Sequence, residues 1–431
     1  MSVPSQEHPL PQPLAETDPS SPAVGTPPAP SGPFRALRHR NFRLLWIGLA
    51  VSALGTWMQT VALGWLVWQM TQSSFYLGLV GFSRAAPILL LSLFGGVLAD
   101  RLDRRKLLLA TQSFMMATAL LLGGLVALRA ADVWTVLALS LLSATAMAFD
   151  MPTRHSLVPE LVERDDVMSA VSLNSAAFNA AGVVGPALAG AVLAAVGPAV
   201  CFFANGLSFL AVVAALLSIR TPGRRATGPR EQVLETLRQG FSYVARTSHI
   251  LAIIVVTGVA AILGRPYTQL MPVFAESVHH VGAPGLGLLY SAAGLGSVAG
   301  ALTAAAVGGG RRPGMLVLGA VTAFGVLLYC FAVTTSFPVA IGLLVLVGAL
   351  NTFYMSSANT LIQVHVPPHL RGRVLSLYTT SAMGFMPLGS MLLGSAGALV
   401  GVPQVVLAGG LLTAATAVAV GARVRSLRQL V

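Results

Sequence analysis

The stretch that decides the fold is Gly95-Gly96-Val97-Leu98-Ala99-Asp100-Arg101-Leu102-Asp103-Arg104-Arg105-Lys106. Six of its last seven residues are charged, although only 9% of the whole chain is. One long apolar run ends at Ala99, and the next begins at Leu107. We interpret the charged part as a short cytoplasmic turn between two membrane-spanning helices, and as part of a gate.

The composition places the chain in the membrane. The protein has 431 residues, of which 55% are hydrophobic, and its mean hydropathy is +0.78. Soluble domains carry about 25% charged residues, so most of this chain must face lipid or other helices. The apolar runs are continuous and of helical length, which excludes the short alternating strands of a β-barrel. We predict an all-α polytopic membrane protein.

The net charge of +12 has a topological explanation. The basic residues fall in short loops between apolar runs, which does not favour a nucleic-acid partner. Cys201 and Cys330 lie inside apolar runs, where they are typical of small core residues rather than of a disulfide or a metal site. We expect no cofactor and no metal.

The apolar runs predict twelve transmembrane helices, because a span needs about 20 apolar residues. The predicted spans are 44–69, 75–99, 107–129, 133–150, 168–196, 199–219, 250–274, 285–307, 314–335, 337–357, 373–399 and 402–421. All but three of the 26 Lys and Arg residues then fall on one side, the exceptions being Arg84, Arg129 and Arg265. This bias predicts that both termini are cytoplasmic.

The chain divides into two predicted six-helix halves, 34–219 and 250–422, which we interpret as pseudo-repeats. Leu157, Val158 and Val162 align without a gap with Leu361, Ile362 and Val366. A Pro- and Ser-rich segment, 1–33, is predicted to be a disordered cytoplasmic tail. The segment 423–431 is predicted to be a cytoplasmic C-terminal tail. The linker 220–249 has the spacing of an amphipathic helix at the membrane surface.

The opening stretch, with twelve spans, resembles the signature of the major facilitator superfamily, in which Gly and Leu-Ala-Asp-Arg precede Gly-Arg-Arg/Lys. Asp103 departs from that pattern, because it stands at a glycine position. Further stretches resemble the enterobactin-exporter-like branch: Phe42-Arg-Leu-Leu-Trp46, Trp57-Met-Gln59, Arg84-Ala-Ala-Pro87 and Leu157-Val-Pro-Glu-Leu161. The resemblance implies alternating access, in which two halves rock about a central cavity, and export of a small molecule driven by protons.

The charged turn supplies the predicted gate and conformational switch. A carboxylate at Asp100 can accept hydrogen bonds from the N-terminus of the eleventh helix. Arg104 is expected to pair with Asp150, and Arg154 to join that pair. The alternative is that these arginines only set the topology. The predicted gate residues are Gly96, Asp100, Arg101, Arg104, Asp150 and Arg154.

Several polar residues inside the spans are candidates for the substrate cavity. Arg84 lies 16 residues before Asp100, hence about 24 Å along the helix, and either meets an anionic or polar substrate or reaches the outer interface. Arg265, before Pro266, is a similar but weaker candidate. The others either line the cavity or bond helix to helix. The cavity candidates are Ser52, Thr56, Gln59, Arg84, Asn174, Asn179, Asn351 and Tyr354.

The fifth span resembles the antiporter motif of superfamily exporters in Gly182, Gly185, Pro186 and Gly190, although helix packing alone would also explain it. Proton coupling rests on the family, with Asp150 and Glu276 as candidates. The chain has no phosphate-binding Gly-x-x-x-x-Gly-Lys-Ser/Thr loop, which disfavours ATP as the energy source.

These observations favour a proton-driven exporter of a small amphipathic compound such as a siderophore, drug or metabolite, and no enzymatic activity. Uptake or facilitated transport is the second reading, and a non-transporting sensor or scaffold the third. The expected partners are a small-molecule substrate, membrane lipid and protons, with no nucleic acid. We expect a functional monomer in a cell membrane, plasma or bacterial inner.

Overall fold

The structure is a computed structural model of the chain. It describes residue 32 and residues 34–219, 233–307 and 312–428. Within the helices, the side chains of 92–94, 96–97, 99–101 and 233–239 lie outside this description. The predicted N-terminal tail, the start of the linker and the last three residues of the C-terminal tail also lie outside it.

In the part of the chain that the structure describes, twelve helices are long and apolar enough to cross a membrane, as the sequence predicts. Because their number is even, both ends of the described chain lie on one face, which we call the termini side. The helices are α1 (Arg40–Thr71), α2 (Ser74–Arg101), α3 (Arg104–Ala127), α4 (Val133–Leu157), α5 (Val167–Val196), α6 (Pro198–Ser218), α7 (Ser248–Val278), α8 (Gly282–Val307), α9 (Pro313–Val333), α10 (Phe337–His365), α11 (Pro368–Val400) and α12 (Val402–Arg423).

Two helices extend beyond their predicted ends on the termini side. α4 ends at Leu157 rather than at residue 150, and α10 ends at His365 rather than at residue 357. Hydropathy measures only the part of a helix that lies in hydrocarbon, whereas the backbone hydrogen bonds continue through the polar residues that follow. The predicted ends therefore mark where the apolar run stops and not where the helix ends.

α7 and α11 are interrupted near the middle of the membrane. α7 passes through a π-helical turn at Ala260–Gly264 and a 3-10 segment at Arg265–Leu270. α11 has a π-helical turn at Thr380–Gly384. Pro266 and Pro272 in α7, and Pro387 in α11, lack the backbone N–H that a regular α-helix requires, which accounts for the change of winding nearby.

The six helices on each side of the linker pack mainly with one another. A linker helix at Val233–Arg246 lies against the first turns of α11, where Gly240 approaches the side chain of Arg373. The tight turns after α5 and α11 each use one glycine at positive φ, Gly197 at 86° and Gly401 at 96°. Glycine adopts this conformation without steric cost, and the two turns occupy equivalent places in the halves.

Candidate functional site

The two halves share a hydrophobic core on the side away from the termini. That cluster joins Val61, Leu77 and Ala189 of the first half to Leu286 and Leu393 of the second. On the termini side the first half has a separate cluster of its own, built around Phe42, Leu108, Leu157, Leu173 and Leu216. Among the described residues, the halves are therefore joined on the far side. Toward the termini the first half has its own cluster, whereas the core of the second half there, with Val374 and Leu427, is continuous with the shared one.

One of the two main contacts between the halves joins α2 to α11. The hydroxyl of Ser74 donates to the carbonyl oxygen of Gly394 at 3.0 Å. A Cβ added to Gly394 would lie 2.7 Å from the Cα of Gly78, and one added to Gly81 would lie 2.8 Å from the Cβ of Ser390. Small residues thus bring the two backbones close together, as in tightly packed membrane helices.

The other main contact joins α5 to α8 and contains the predicted antiporter-like motif. A Cβ on Gly190 would lie 2.8 Å from the carbonyl oxygen of Ala283, and one on Gly287 would lie 2.5 Å from that of Pro186. The hydroxyl of Ser291 donates to the carbonyl oxygen of Val183 at 2.6 Å. The motif residues Pro186 and Gly190 therefore form part of the surface on which the halves meet.

The remaining glycines of the motif make room for an indole ring from α1. A Cβ on Gly185 would lie 2.7 Å from the Cβ of Trp57, and one on Gly182 would lie 3.3 Å from its ring. Phe178 packs on the same ring, with centroids 6.1 Å apart. The motif thus allows close approach on two faces of α5, toward α1 and toward α8.

The predicted gate is only partly described. The side chains of Gly96, Asp100 and Arg101 lie outside the described part of the structure. Arg104 pairs with Glu160 and donates to the carbonyl oxygen of Ser156 at 3.4 Å. The predicted pair of Arg104 with Asp150 is wrong for this structure, because the 3-10 turn after α4 brings Glu160 to the guanidinium instead.

Asp150 is held inside the first half by α3 and by its own helix. It is 1% exposed and accepts hydrogen bonds from Thr111 at 3.0 Å and from Gln112 at 2.8 Å. Arg154, one turn further along α4, lies 3.6 Å from the second carboxylate oxygen of Asp150. The predicted approach of Arg154 to Asp150 is thus present, although Arg104 does not take part. Two hydrogen-bond donors and one cation thus hold the buried carboxylate in position.

The predicted polar stripe of α1 connects α1 to α6. The amide of Asn205 donates to Gln59 at 2.6 Å, and the hydroxyl of Thr56 lies 3.5 Å from the oxygen of Asn205. Ser52 is buried, with 6% of its surface exposed. These contacts favour the alternative interpretation, in which the stripe bonds helix to helix, and a cavity role for Thr56 and Gln59 stays a prediction.

Arg84 points into the bundle rather than toward the outer interface. Its guanidinium donates to the hydroxyl of Thr60 in α1 at 2.9 Å. One turn before it, Gly81 packs on α7 of the other half, where an added Cβ would lie 2.9 Å from the Cγ of Gln269. The side chain is half-buried, so part of it faces the space inside the bundle. The snorkelling alternative for Arg84 is therefore wrong.

Arg265 lies at the interruption of α7. Its guanidinium donates to the carbonyl oxygen of Ala382 in α11 at 2.5 Å. That carbonyl belongs to the π-helical turn of α11, where the winding differs from an α-helix. Tyr290 donates to the carbonyl oxygen of Thr268, also at 2.5 Å, one turn after Arg265. Sequence reasoning missed Tyr290 and Ala382, because neither belongs to a recognisable motif.

The other candidates occupy different environments. Asn174 is half-buried and Asn179 exposed on the termini-side half of α5. Tyr354 is 1% exposed and donates to Asn351 at 3.1 Å, with its ring against Phe324. The predicted cavity position of Tyr354 is therefore wrong for its ring, which belongs to the core of the second half because α9 packs on it.

Glu276 lies at the end of α7 away from the termini and is exposed. The neighbouring His279 packs on Phe331 and Phe337, and its Nδ1 lies 3.3 Å from the carbonyl oxygen of Thr335. Burial is the main cause that lowers the pKa of His279, and the Thr335 hydrogen bond opposes it. This side chain is therefore neutral near pH 7.

One cluster has the ligand types of a metal site, with atoms of His39, Glu163 and Asp166 within 4.8 Å of one another. Arg35 lies 3.1 Å and Arg38 2.9 Å from the buried Asp166 carboxylate, which His39 also contacts at 2.8 Å. Three cationic or donor groups thus already occupy both oxygens. The cluster is an ion-pair network that fixes the segment before α1 to the start of α5.

Comparison with known families identifies the chain. The sequence model of the transmembrane secretion effector family, MFS_3, matches residues 31–430. The chain belongs to the transmembrane secretion effector family. Membership accounts for the twelve helices and the two halves, and it makes the protein a multi-pass membrane transporter of the major facilitator superfamily rather than an enzyme.

Two characterised relatives of this transmembrane secretion effector handle siderophores. The chain is 26% identical over 351 residues to the staphyloferrin A transporter of Staphylococcus aureus, and the aligned part covers 79% of the chain and 85% of that transporter. It is also 26% identical over 367 residues to the enterobactin exporter EntS of Citrobacter koseri, covering 84% of the chain and 86% of the relative. The relatives and the twelve spans indicate an inner-membrane protein.

Solved structures share the fold of this transmembrane secretion effector at low sequence identity. The nucleoside transporter NupG superposes with a TM-score of 0.72 at 14% identity, covering 89% of the chain and 98% of NupG. A bacterial homologue of the iron transporter ferroportin superposes with a TM-score of 0.67 at 17% identity, covering 89% of the chain and 99% of the homologue. These likenesses establish the major facilitator fold.

Proposed function

We propose that this protein exports a siderophore-type small molecule across the cytoplasmic membrane in exchange for protons. The observation that carries the proposal is the match over most of its length to one siderophore exporter and one siderophore transporter. The antiporter-like motif supports export, because Pro186 and Gly190 lie where the halves must separate.

Alternating access is supported by the uneven contact between the halves. Toward the far side the halves share a core. Val183 of α5 lies at the contact with α8, and the residues one and two turns closer to the termini on the same face of α5, Asn179 and Ser175, are exposed. The second state closes this termini-side gap and opens the far-side contact. Because both far-side contacts are built on small residues, the helices can separate without withdrawing large interlocked side chains.

The excess of arginine on the termini side supports a cytoplasmic location for both termini. In that orientation the exposed residues Ser175 and Asn179 of α5 lie toward the cytoplasm, the side from which an exporter takes its cargo. Asp150 is the better of the two coupling candidates, because it is buried in a membrane helix while Glu276 is exposed. Its partner Arg154 can hold or release the carboxylate as α4 moves. The monomer is the proposed functional unit.

The test uses a bacterial host that makes enterobactin but has lost its own exporter. We expect this protein to restore enterobactin to the medium under iron limitation, and an uncoupler to abolish the effect. Inverted vesicles with an acidic interior should accumulate enterobactin or staphyloferrin A. Neither compound accumulating, with the protein present in the membrane, would refute the proposed function, and accumulation only in right-side-out vesicles would establish uptake instead.

A further inference from the structure

The interior of the bundle carries two arginines without carboxylate partners. Arg84 lies ten residues into α2, about 15 Å from its far-side end, and Arg265 lies in the interrupted part of α7. Within the described part of the chain, neither guanidinium forms an ion pair with an acidic side chain. A membrane-buried charge is costly, so it ordinarily faces a partner or a cavity.

Neutral oxygens hold both guanidinium groups in place. Thr60 accepts from one Nη of Arg84, and the carbonyl of Ala382 accepts from one Nη of Arg265. A guanidinium has five N–H donors in a planar fork, so each arginine keeps further donors for another ligand. Both side chains are half-buried rather than enclosed, so each keeps an exposed part that a ligand can contact.

Packing at the boundary between the halves brings the two arginines to neighbouring stretches of chain. A Cβ added to Gly81, one turn before Arg84, would lie 2.9 Å from the Cγ of Gln269, four residues after Arg265. The hydroxyl of Tyr290 is bonded to the backbone of α7 at Thr268. The two arginines therefore lie in one region of the boundary, although they come from different halves.

We infer that this region binds the anionic group of the cargo, a carboxylate or a catecholate, between Arg84 of the first half and Arg265 of the second. This inference rests on the proposed function and specifies the chemistry of its cargo. An anion offsets two uncompensated positive charges at once, and guanidinium forks match planar carboxylates in bidentate geometry. A cation would meet two like charges, and a neutral cargo would leave both charges uncompensated.

The test compares two probes of matched shape, 2,3-dihydroxybenzoate and its neutral amide, 2,3-dihydroxybenzamide. Binding to the purified full-length protein is measured by isothermal titration calorimetry. We expect the carboxylate to bind at least about tenfold more tightly than the amide, because charge-assisted hydrogen bonds are stronger than neutral ones. Added salt should weaken binding of the carboxylate but not of the amide.

Substitutions then locate the site. Arg84→Gln and Arg265→Gln should each weaken carboxylate binding at least about tenfold and bring it near that of the amide. Arg84→Lys keeps the charge and should recover part of the affinity. Arg129→Gln is the matched control, because it removes the same charge from an exposed residue after α3 and should bind as the wild type does. Thermal melting of each variant verifies that it is folded.

Equal binding of the two probes, failure of the carboxylate to bind at millimolar concentration, or folded glutamine variants that bind it as the wild type does would each overturn the inference. These outcomes differ from failure of the proposed function. A protein that exports enterobactin with Arg84→Gln and Arg265→Gln as well as without them is an exporter that lacks this anion site. Arginine-dependent binding without export of any siderophore leaves the site intact and refutes the function.

Discussion

The substitution Gly287→Ala should shift the balance between the two conformations of the proposed alternating-access cycle. The added Cβ would lie 2.5 Å from the carbonyl oxygen of Pro186 and 3.0 Å from the Cα of Gly190, across the contact between the halves. Neither is a flexible side chain, so the backbones of α5 and α8 must separate. Overpacking of this kind costs about 1–3 kcal/mol, which corresponds to an about 5- to 150-fold loss in the population of this state.

Two single-cysteine reporters measure the shift in a background without Cys201 and Cys330. Ala283→Cys, on the far-side contact, replaces a residue that is 6% exposed, and Asn179→Cys replaces an exposed residue on the termini-side half of α5. In the Gly287→Ala protein, labelling by a membrane-impermeant maleimide should become faster at position 283 and slower at position 179. Opposite changes at two reporters distinguish a rocking motion from general loosening.

Two further glycines provide controls for the size of the effect. Gly319→Ala places its Cβ in open space, and we expect neither labelling rate to change. Gly296→Ala strains the contact of α8 with Val345 inside the second half, so it should lower thermal stability without opposite changes at the reporters. If Gly287→Ala labels like Gly319→Ala, the contact does not hold this state closed and the reasoning is refuted.

Three other changes test the remaining interactions. Asn205→Ala removes the hydrogen-bond donor to Gln59, which joins two membrane helices, and should lower the free energy of unfolding by about 0.6–1.7 kcal/mol. Thermal unfolding in detergent measures this change, and an unchanged melting temperature would contradict the stated role of the bond. Asp150→Asn keeps the shape but removes the charge facing Arg154, so proton-driven flux should fall while the protein remains in the membrane, and wild-type flux would exclude Asp150 from coupling. Burial in the folded state lowers the pKa of His279 below its ordinary value of 6.5, so around and below pH 6.5 the unfolded chain binds more protons than the folded one. The free energy of unfolding should therefore fall as the pH drops through and below 6.5. The melting temperature of His279→Gln should depend less on pH over this range.

The helices and their number follow directly from the sequence because each span is a local property. An apolar run of sufficient length must satisfy its backbone hydrogen bonds internally, whatever surrounds it. The small-residue motif at Gly182–Gly190 is likewise visible in the sequence, and the structure gives it two neighbours. The termini-side extensions of α4 and α10 were missed because hydropathy does not report the helical state of the more polar residues that follow an apolar run.

Partners that depend on helix winding were much harder to predict. Arg265 is visible as a charge in an apolar run, but its acceptor is a backbone carbonyl of Ala382 in a π-helical turn of another helix. The pairing of Arg104 with Glu160 instead of Asp150 depends on how the chain turns after α4. Such contacts join residues 56 and 117 positions apart, and no local pattern determines them.

The division of the two arginines between the halves links cargo binding to conformational change. A cargo that touches Arg84 alone has its charge offset by one half, and the second guanidinium remains unpaired in a medium of low dielectric. Moving the halves together brings Arg265 to the same anion and removes that cost. Differential affinity of this kind is what allows a ligand to shift a conformational equilibrium. A cargo without the negative charge would leave the two arginines repelling each other, and would thereby oppose the closed state of the proposed alternating-access cycle.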